Sequence, residues 1–434
     1  MKYVVVREYA RLTTDTIEAT IDQASVSVSA FEYLCNLSAL YGKSGASLLQ
    51  VENRRWLRLN NHVGVIETPC GTLLEILPKT TKETGDNKTQ ASRDLLIKML
   101  SVALDLPVRN SDKTNISTFR HSLLEWVMKE FTLAFDQLIK CGVRFDYKRI
   151  EDEQRFLRGQ LDVTRQMRQP PGKGHIFQIN HDLFLTDRPE NRLLKSAIDR
   201  VCKHTQQVET WRLSHEISTL ISDIPQSKCI DIDFKQWSKD RLMAHYQPIL
   251  PWCELVLSQH MPLSIRGNTQ GISLLFPMEK LFERYVEIKI RKQLSAIYSL
   301  KRQASSKYLC AHENDGMFRL LPDLLIQRDG QNIAVLDTKW KLIFSTDKTN
   351  KYGLNQPDFY QLFAYGHKYL NSNGPLFLIY PLIDTFSAPL PSFDFSQTQE
   401  LWVIPFDLEK DMLHWPASWD FKRDITTQLN RYTP

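Results

Sequence analysis

The sequence predicts an α+β multidomain protein: a β-rich unit over residues 1–78, a mainly helical middle over 91–260 with a basic β-insert, and a mixed α/β domain over 261–434. Two observations carry that prediction. The hydrophobic period changes twice along the chain, from short alternating runs to a 3.6-residue repeat and then to strands interleaved with helices. The 434 residues, 42% hydrophobic with only 16 Gly and 20 Pro, suffice for two or three domains with real cores and exclude a collagenous or disordered chain.

Within 1–78, YVVVREY reads as a strand and FEYLCNLSALY as a helix. SLLQVENRRWLRLNNHVGVIETPCGTLLEILP follows as several strands broken at Asn60–Asn61 and Cys70–Gly71. Pro78 and the polar run KTTKETGDNKTQ mark a linker. From 91 onward SRDLLIKMLSVAL, STFRHSLLEWVMKEFTLAFDQLIK and NRLLKSAIDRVCKH are helices. In the second, Phe119, Leu123, Trp126, Val127, Phe131, Phe135, Leu138 and Ile139 recur at helical spacing and predict a buried stripe that is core, not a ligand box. Between these helices, Arg155, Arg158, Arg165, Arg168 and Lys173 surround a Pro-Pro-Gly turn, a pattern suited equally to phosphate contact and to a solvated hairpin. In the last third PMEKLFERYVEIKIRKQL is a helix, and YLCAH, MFRLLPDLLIQ and IAVLDTKWKLI are strands. A helix, QPDFYQLFAYGHKYL, and a strand, GPLFLIYPL, complete the α-β-β-β-α-β order of a mixed sheet with flanking helices.

Lys and Arg number 55 against 50 acids, a net +5 that permits a nucleic-acid partner without demanding one. Apolar runs such as PLFLIYPLI fall far short of the ~18–20 residues of a bilayer span, and MKYVVVREYARL lacks a secretory core, so no membrane association and a cytoplasmic location are expected. The seven cysteines are widely spread, without CxxC or a Cys/His quartet, which argues against a zinc ribbon, an iron–sulfur cluster or a disulfide framework.

The chemistry concentrates in LLPDLLIQRDGQNIAVLDTKWK. Asp323 ends one apolar segment, Arg328-Asp329-Gly330-Gln331 turns the chain, and Asp337 and Lys339 stand two apart on the next strand. Side chains alternate along a strand, so Asp337 and Lys339 face together and Thr338 faces away. Pairing as a hairpin brings Asp323 to Asp337. Two carboxylates beside an ammonium suit Mg²⁺ (or Mn²⁺), with the main-chain carbonyl of Thr338 as a further ligand and Lys339 orienting water or stabilising developing charge. The expected chemistry is phosphodiester hydrolysis; the same charges also suit a surface ladder.

Pro322-Asp323 followed by Asp337-Thr338-Lys339 resembles the PD-(D/E)xK nuclease signature. Gln361 and Tyr365, on one helix face at i, i+4, resemble the helix motif of RecB-type members, which lies beside the site and the DNA. On the leading helix, Glu279 and Glu283 border an apolar stripe of Leu281, Phe282, Tyr285, Val286 and Ile290, and Glu283 is the favoured further metal ligand. Residues 284–307 carry seven basic side chains against Glu287 alone. Of these Arg291, Lys292, Lys301 and Arg302, together with Lys341, are expected to hold DNA phosphates, a solvated helix face being the alternative.

VREY, GVIETPCGTLLEILPK, LRGQLD, DRPENRLLKSA, LFPMEKLFERYVE and LPDLLIQ…VLDTKWK…DFYQLFAY, in that order, resemble the McrC family, nuclease subunits of McrBC 5-methylcytosine-dependent restriction systems. The resemblance implies a carboxy-terminal PD-(D/E)xK restriction-endonuclease-like domain that cuts double-stranded DNA with Mg²⁺. It also implies docking, through the amino-terminal part, on a hexameric AAA+ GTPase, McrB, which the subunit stimulates and which reads methylcytosine. Two McrC copies could meet across two motor rings. On this pattern Asp323, Asp337 and Lys339 are the catalytic triplet, with Glu283, Gln361 and Tyr365 beside them. Arg54, Arg55, Trp56 and Arg58 are candidates for the motor contact. The chain has no G-x-x-x-x-G-K-[ST] loop, in keeping with a motor on another polypeptide. Two other readings stay open: a non-catalytic adaptor that activates an NTPase on a nuclease-like scaffold, and a RecB-type repair nuclease, which leaves the first 260 residues unexplained.

Overall fold

The computed structural model describes residues 2–43, 48–53, 55–79, 86–107, 122–170, 172–257, 274–419 and 421–422. Phe119, Arg54 and Pro171 lie outside the described residues. The chain is an α+β multidomain protein that forms two compact units: Met1–Arg120 with Met261–Asn268 and Leu275–Pro434, and His121–His260 with Thr269–Leu274.

The first unit opens with β1 (Lys2–Arg7), β2 (Arg11–Thr13), β3 (Gln23–Ser25) and α1 (Val28–Lys43). β4 (Leu49–Asn53), β5 (Trp56–Leu59), β6 (His62–Glu67), β7 (Thr72–Leu77) and α2 (Asp86–Ala103) follow. β1 lies parallel to β7, which pairs antiparallel with β6; β3-β2-β5-β4 make a second sheet. The strand breaks fall at Asn60–Asn61 and Cys70–Gly71, as the turn residues require. β7 is buried throughout, including Glu75, whose charge is met by Arg93 of α2 at 2.6 Å and by the Tyr3 hydroxyl. A carboxylate removed from water needs such a partner, and the pair fixes α2 on the sheet.

The second unit contains α3 (Leu123–Cys141), β8 (Asp146–Gln154), β9 (Gln160–Leu161), β10 (Phe177–Leu185), α4 (Pro189–His204), α5 (Val208–Leu220) and α6 (Leu250–Val256). The Ser122 hydroxyl caps α3, and Leu123, Trp126, Val127, Phe131, Phe135 and Leu138 are buried, as the helical repeat predicts, while Ile139 at the end of the stripe is half-buried. Trp126 meets Trp252 of α6 edge-on at 5.2 Å. The β-insert is a three-stranded sheet, β8-β10-β9, and one of its cations is paired locally, Arg165 with Glu151 at 2.6 Å.

The first unit resumes with β11 (Leu274–Pro277), α7 (Met278–Gln293), β12 (Tyr298–Arg302), β13 (Lys307–His312), β14 (Asp315–Leu320), β15 (Leu324–Arg328) and β16 (Gln331–Thr338). α8 (Gln356–Tyr369), β17 (Leu376–Pro381), β18 (Phe393–Asp394) and β19 (Glu400–Asp407) close it. The mixed sheet has the order β12-β15-β16-β17-β19-β18, with β16, β17 and β19 parallel and β15 antiparallel to its neighbours. The expected element order needs one correction. MFRLLPDLLIQ is two strands, not one, because Pro322 has no N–H to offer a ladder; β14 pairs with β13 in a separate hairpin and β15 joins the sheet. β15 and β16 meet through a two-residue turn in which Asp329 (φ 50°) and Gly330 (φ 80°) both take the left-handed conformation that a tight hairpin demands. Alternate residues of the sheet, Leu325, Val335, Leu378 and Val403, pack with Leu362, Tyr365 and Tyr369 of α8, while Phe282 of α7 packs on Trp340 and Phe406. Among the described residues no helix is long and apolar enough to cross a membrane.

Candidate functional site

The β15–β16 register leads from the Leu324–Leu336 pair directly to Asp323 and Asp337, one beyond the end of the ladder. Asp323 Oδ2 accepts hydrogen bonds from the Thr338 amide at 2.7 Å and the Thr338 hydroxyl at 2.8 Å. This corrects the expectation that Thr338 faces away. Thr338 still pairs with Ile379 of β17, but the β15 ladder has ended at Leu324–Leu336, so on that side its amide and hydroxyl meet the Asp323 carboxylate.

Lys339 Nζ lies 2.6 Å from Asp337 Oδ2, 3.3 Å from Gln361 Oε1 and 3.7 Å from Asp358 Oδ1. Gln361 Nε2 donates to Tyr365 Oη at 2.6 Å, and Tyr365 Oη donates to the Leu321 carbonyl at 3.0 Å. The Gln361–Tyr365 pair on α8 therefore links the ammonium to the chain just before Asp323. Asp337 is only 1% exposed, and the Lys339 ammonium meets its Oδ2 at 2.6 Å in a charge-assisted contact, while its Oδ1 has no hydrogen-bond partner.

Burial first, and then the charge of Asp323, hold the Asp337 carboxyl above the usual range against the pull of Lys339. Burial also raises Asp323, while the Thr338 bonds and Lys339 restrain it. Burial alone would lower Lys339, but Asp337, Asp358 and Asp323 outweigh it and the ammonium keeps its proton. Glu283 on α7 accepts from Gln303 Nε2 at 3.0 Å, has Arg302 Nε at 3.6 Å, and is raised by burial and by the Asp323 charge. Asp337, Asp358 and Asp323 thus surround Lys339, and Glu283 stands by with Arg302, so four acids meet two cations.

A cleft of about 890 Å³ gathers Glu283, Asp323, Asp337, Thr338, Lys339, Lys341 and Gln361. Lys341 Nζ donates to the Gly353 carbonyl at 2.5 Å and to Asn355 Oδ1 at 2.9 Å. Arg291, Lys292 and Lys301 do not line it. Arg291, with Arg284 and Arg302, surrounds the buried Glu287 at 2.9, 2.5 and 3.5 Å, so part of the basic excess read from the sequence neutralises an internal acid. Sequence reasoning missed Asp358, although its place three residues before Gln361 puts both on one helix face. It also missed Tyr9, Arg58 and Lys79 as lining residues, Arg58 having been read as a partner contact; no sequence signal points from these to the cleft.

Among the described residues no three His, Cys, Asp or Glu side chains stand close enough to form a ready-made metal cage. The residues nevertheless fit a hard divalent ion. Asp337 offers a buried Oδ1 without a hydrogen-bond partner, Asp323 sits opposite, and Mg²⁺ commonly uses one or two carboxylates and fills its octahedron with water and substrate oxygens.

Fold and cleft define a class: an α+β multidomain protein with an acid–acid–lysine cluster at the end of a sheet hairpin. The family model for the McrBC 5-methylcytosine restriction system component matches residues 57–381, most of the chain, and the chain belongs to that family. Two solved structures share its fold. One is a half-complex from a tetradecameric assembly of Thermococcus gammatolerans McrB AAA+ hexamers with bound McrC, similar at 16% identity and TM-score 0.73 over 99% of this chain and 100% of that one. The other is the Thermococcus gammatolerans McrBC complex, at 18% identity and TM-score 0.55 over 68% of this chain and 88% of that one. No curated protein matches the sequence.

Proposed function

We propose that this chain is the Mg²⁺-dependent (or Mn²⁺-dependent) DNA endonuclease subunit of a methylcytosine-dependent restriction complex, with a PD-(D/E)xK nuclease domain at its carboxy-terminal end. The observation that carries the reading is the meeting of Asp323, Asp337 and Lys339 at one hairpin end, with Asp337 buried and paired to Lys339 at 2.6 Å. Asp323 and Asp337 hold the ion, with Glu283 and the Thr338 carbonyl as further oxygen donors. When bound, Mg²⁺ supplies Lewis-acid polarisation of a phosphoryl oxygen. Lys339, kept protonated by the surrounding acids and steadied by Gln361, stabilises negative charge that develops on the phosphoryl group. Tyr365 holds Gln361 in turn.

By extension from the Thermococcus gammatolerans assembly of McrB AAA+ hexamers with bound McrC, the partner of this chain is an AAA+ hexamer. The family resemblance adds that the chain stimulates the partner's GTPase and that two copies could meet across two rings. The test is cleavage of methylated duplex by the chain reconstituted with its AAA+ partner. Asp337→Ala abolishes cutting and leaves stimulation of the partner's GTPase intact; cutting that survives the substitution rejects the assignment.

A further inference from the structure

The acid cluster occupies one side of the cleft, and the amino-terminal strands supply another. The turn between β1 and β2, the β5 residue Arg58 and Lys79 just after β7 all line it. Glu8 fastens this side in place. Fully buried, it accepts from Trp340 Nε1 at 2.7 Å and from the Lys79 amide at 2.7 Å, so the turn is bonded to the residue that follows Lys339. The next residue, Tyr9, has φ 64°, a left-handed conformation that an aromatic residue holds only under constraint from its surroundings, and its ring is partly exposed.

The cations of this wall differ in availability. Arg7 is committed to Asp22, which takes Nε and Nη2 at 2.6 Å each. Arg58 is half-exposed and its nearest carboxylate oxygen, on Glu52, is 3.8 Å away. Lys79 has no carboxylate within ion-pair distance among the described residues, although its charge is felt by the buried Glu8. Meanwhile Arg284, Arg291 and Arg302 are held at Glu287, and Lys341 by Gly353 and Asn355. A polyanion brought against several carboxylates needs opposing cations that are free to meet its phosphates. We infer that Arg58 and Lys79, with the Tyr9 ring beside them, form the phosphate-binding wall of the cleft, so that the β-rich amino-terminal strands grip the DNA cut at the acid cluster. The inference rests on the nuclease reading. DNA is favoured over a protein partner because these side chains line the same cleft as the acids, where a strand with its counter-ions fits and an acidic protein loop would meet Asp323, Asp337 and Glu283.

The experiment uses the full-length chain and a fluorescent duplex of about 30 bp, followed by anisotropy with Ca²⁺ across about 50 to 200 mM salt. Arg58→Ala with Lys79→Ala is expected to weaken binding at least about tenfold and to flatten the log–log salt slope by about 1.8, near 0.9 for each phosphate no longer neutralised. Arg58→Lys with Lys79→Arg keeps both affinity and slope, which separates removal of charge from a damaged fold. Unchanged affinity and slope in the double alanine chain overturn the inference. So does an unchanged slope with impaired stimulation of the AAA+ partner, which would assign the wall to that protein. Asp337→Asn, assayed for cutting in the reconstituted complex, keeps the two ideas apart. If Asp337→Asn still cuts, the nuclease reading falls; if it does not cut while the double alanine chain binds and cuts normally, only the wall falls.

Discussion

Replacing Glu8 by glutamine tests the bond that ties the amino-terminal turn to Trp340. Burial pushes this carboxyl from its ordinary 4.5 up to about 7, in spite of hydrogen bonds from the Lys79 amide and the Trp340 indole, and the charge of Glu279 adds to the rise. An acid that is weaker in the folded chain binds more protons there than in the unfolded chain between those two values. Its contribution is therefore fully favourable below pH 4.5 and is lost as pH climbs through about 7. At 1.36 kcal/mol per pH unit, the gap between 4.5 and about 7 corresponds to about 3 kcal/mol. Glutamine keeps an oxygen for both donors and carries no charge. Its amide stands where Oε2, which accepts no hydrogen bond, stands now, so it resembles the protonated acid. The variant should match the parent near pH 4 and exceed it by up to about 3 kcal/mol near pH 8. Urea unfolding followed by tryptophan fluorescence at both pH values measures this as a difference between the two chains, in which other titrating groups cancel. A difference that stays constant with pH would show that Glu8 is not the titrating group.

Three further outcomes follow from single interactions. Tyr365→Phe removes the hydroxyl that Gln361 and the Leu321 carbonyl share; melting should report a loss of about 1 kcal/mol, and cleavage by the complex should fall about 10- to 100-fold as Lys339 loses its support. Arg93→Met leaves Glu75 charged and wholly buried, and denaturant titration should show about 3–5 kcal/mol of destabilisation. Gly330→Ala adds a Cβ that meets nothing within 4 Å, so only the backbone at φ 80° resists it, and melting should show a loss of about 1–2 kcal/mol.

The hairpin was legible because its turn and its spacing are local. Asp329-Gly330 specifies a two-residue turn, and the pairing that follows sets the two acids near one another. Equal spacing alone would put Asp323 opposite Leu336; a one-residue register shift between Ile326 and Gln327, with no sequence signal, brings Asp337 there. Gln361 and Tyr365 were legible for the same reason, four residues being one helical turn. Thr338 escaped because its amide and hydroxyl meet Asp323 where the β15 ladder has ended, an arrangement that the alternation of side chains does not reveal. The split of MFRLLPDLLIQ escaped although Pro322 was in view; an apolar run on both sides reads as continuous until the missing amide is counted. The amino-terminal wall had no sequence signal at all. Glu8 and Trp340 are 332 residues apart, and nothing in either segment names the other. The surplus of arginines was visible, but its use was not, since a buried Glu287 is indistinguishable in sequence from a solvated one.

Everything proposed for the cleft requires that Asp323 and Asp337 seat one divalent ion beside Lys339. Mn²⁺ binding to the full-length chain, followed by electron paramagnetic resonance, addresses this without any need for turnover. The expected result is a site displaced by Mg²⁺, abolished in Asp337→Asn and in Asp323→Asn, and kept in Lys339→Met; Mn²⁺ binding that is the same in both asparagine chains as in the parent would rule out an ion held by these two carboxylates.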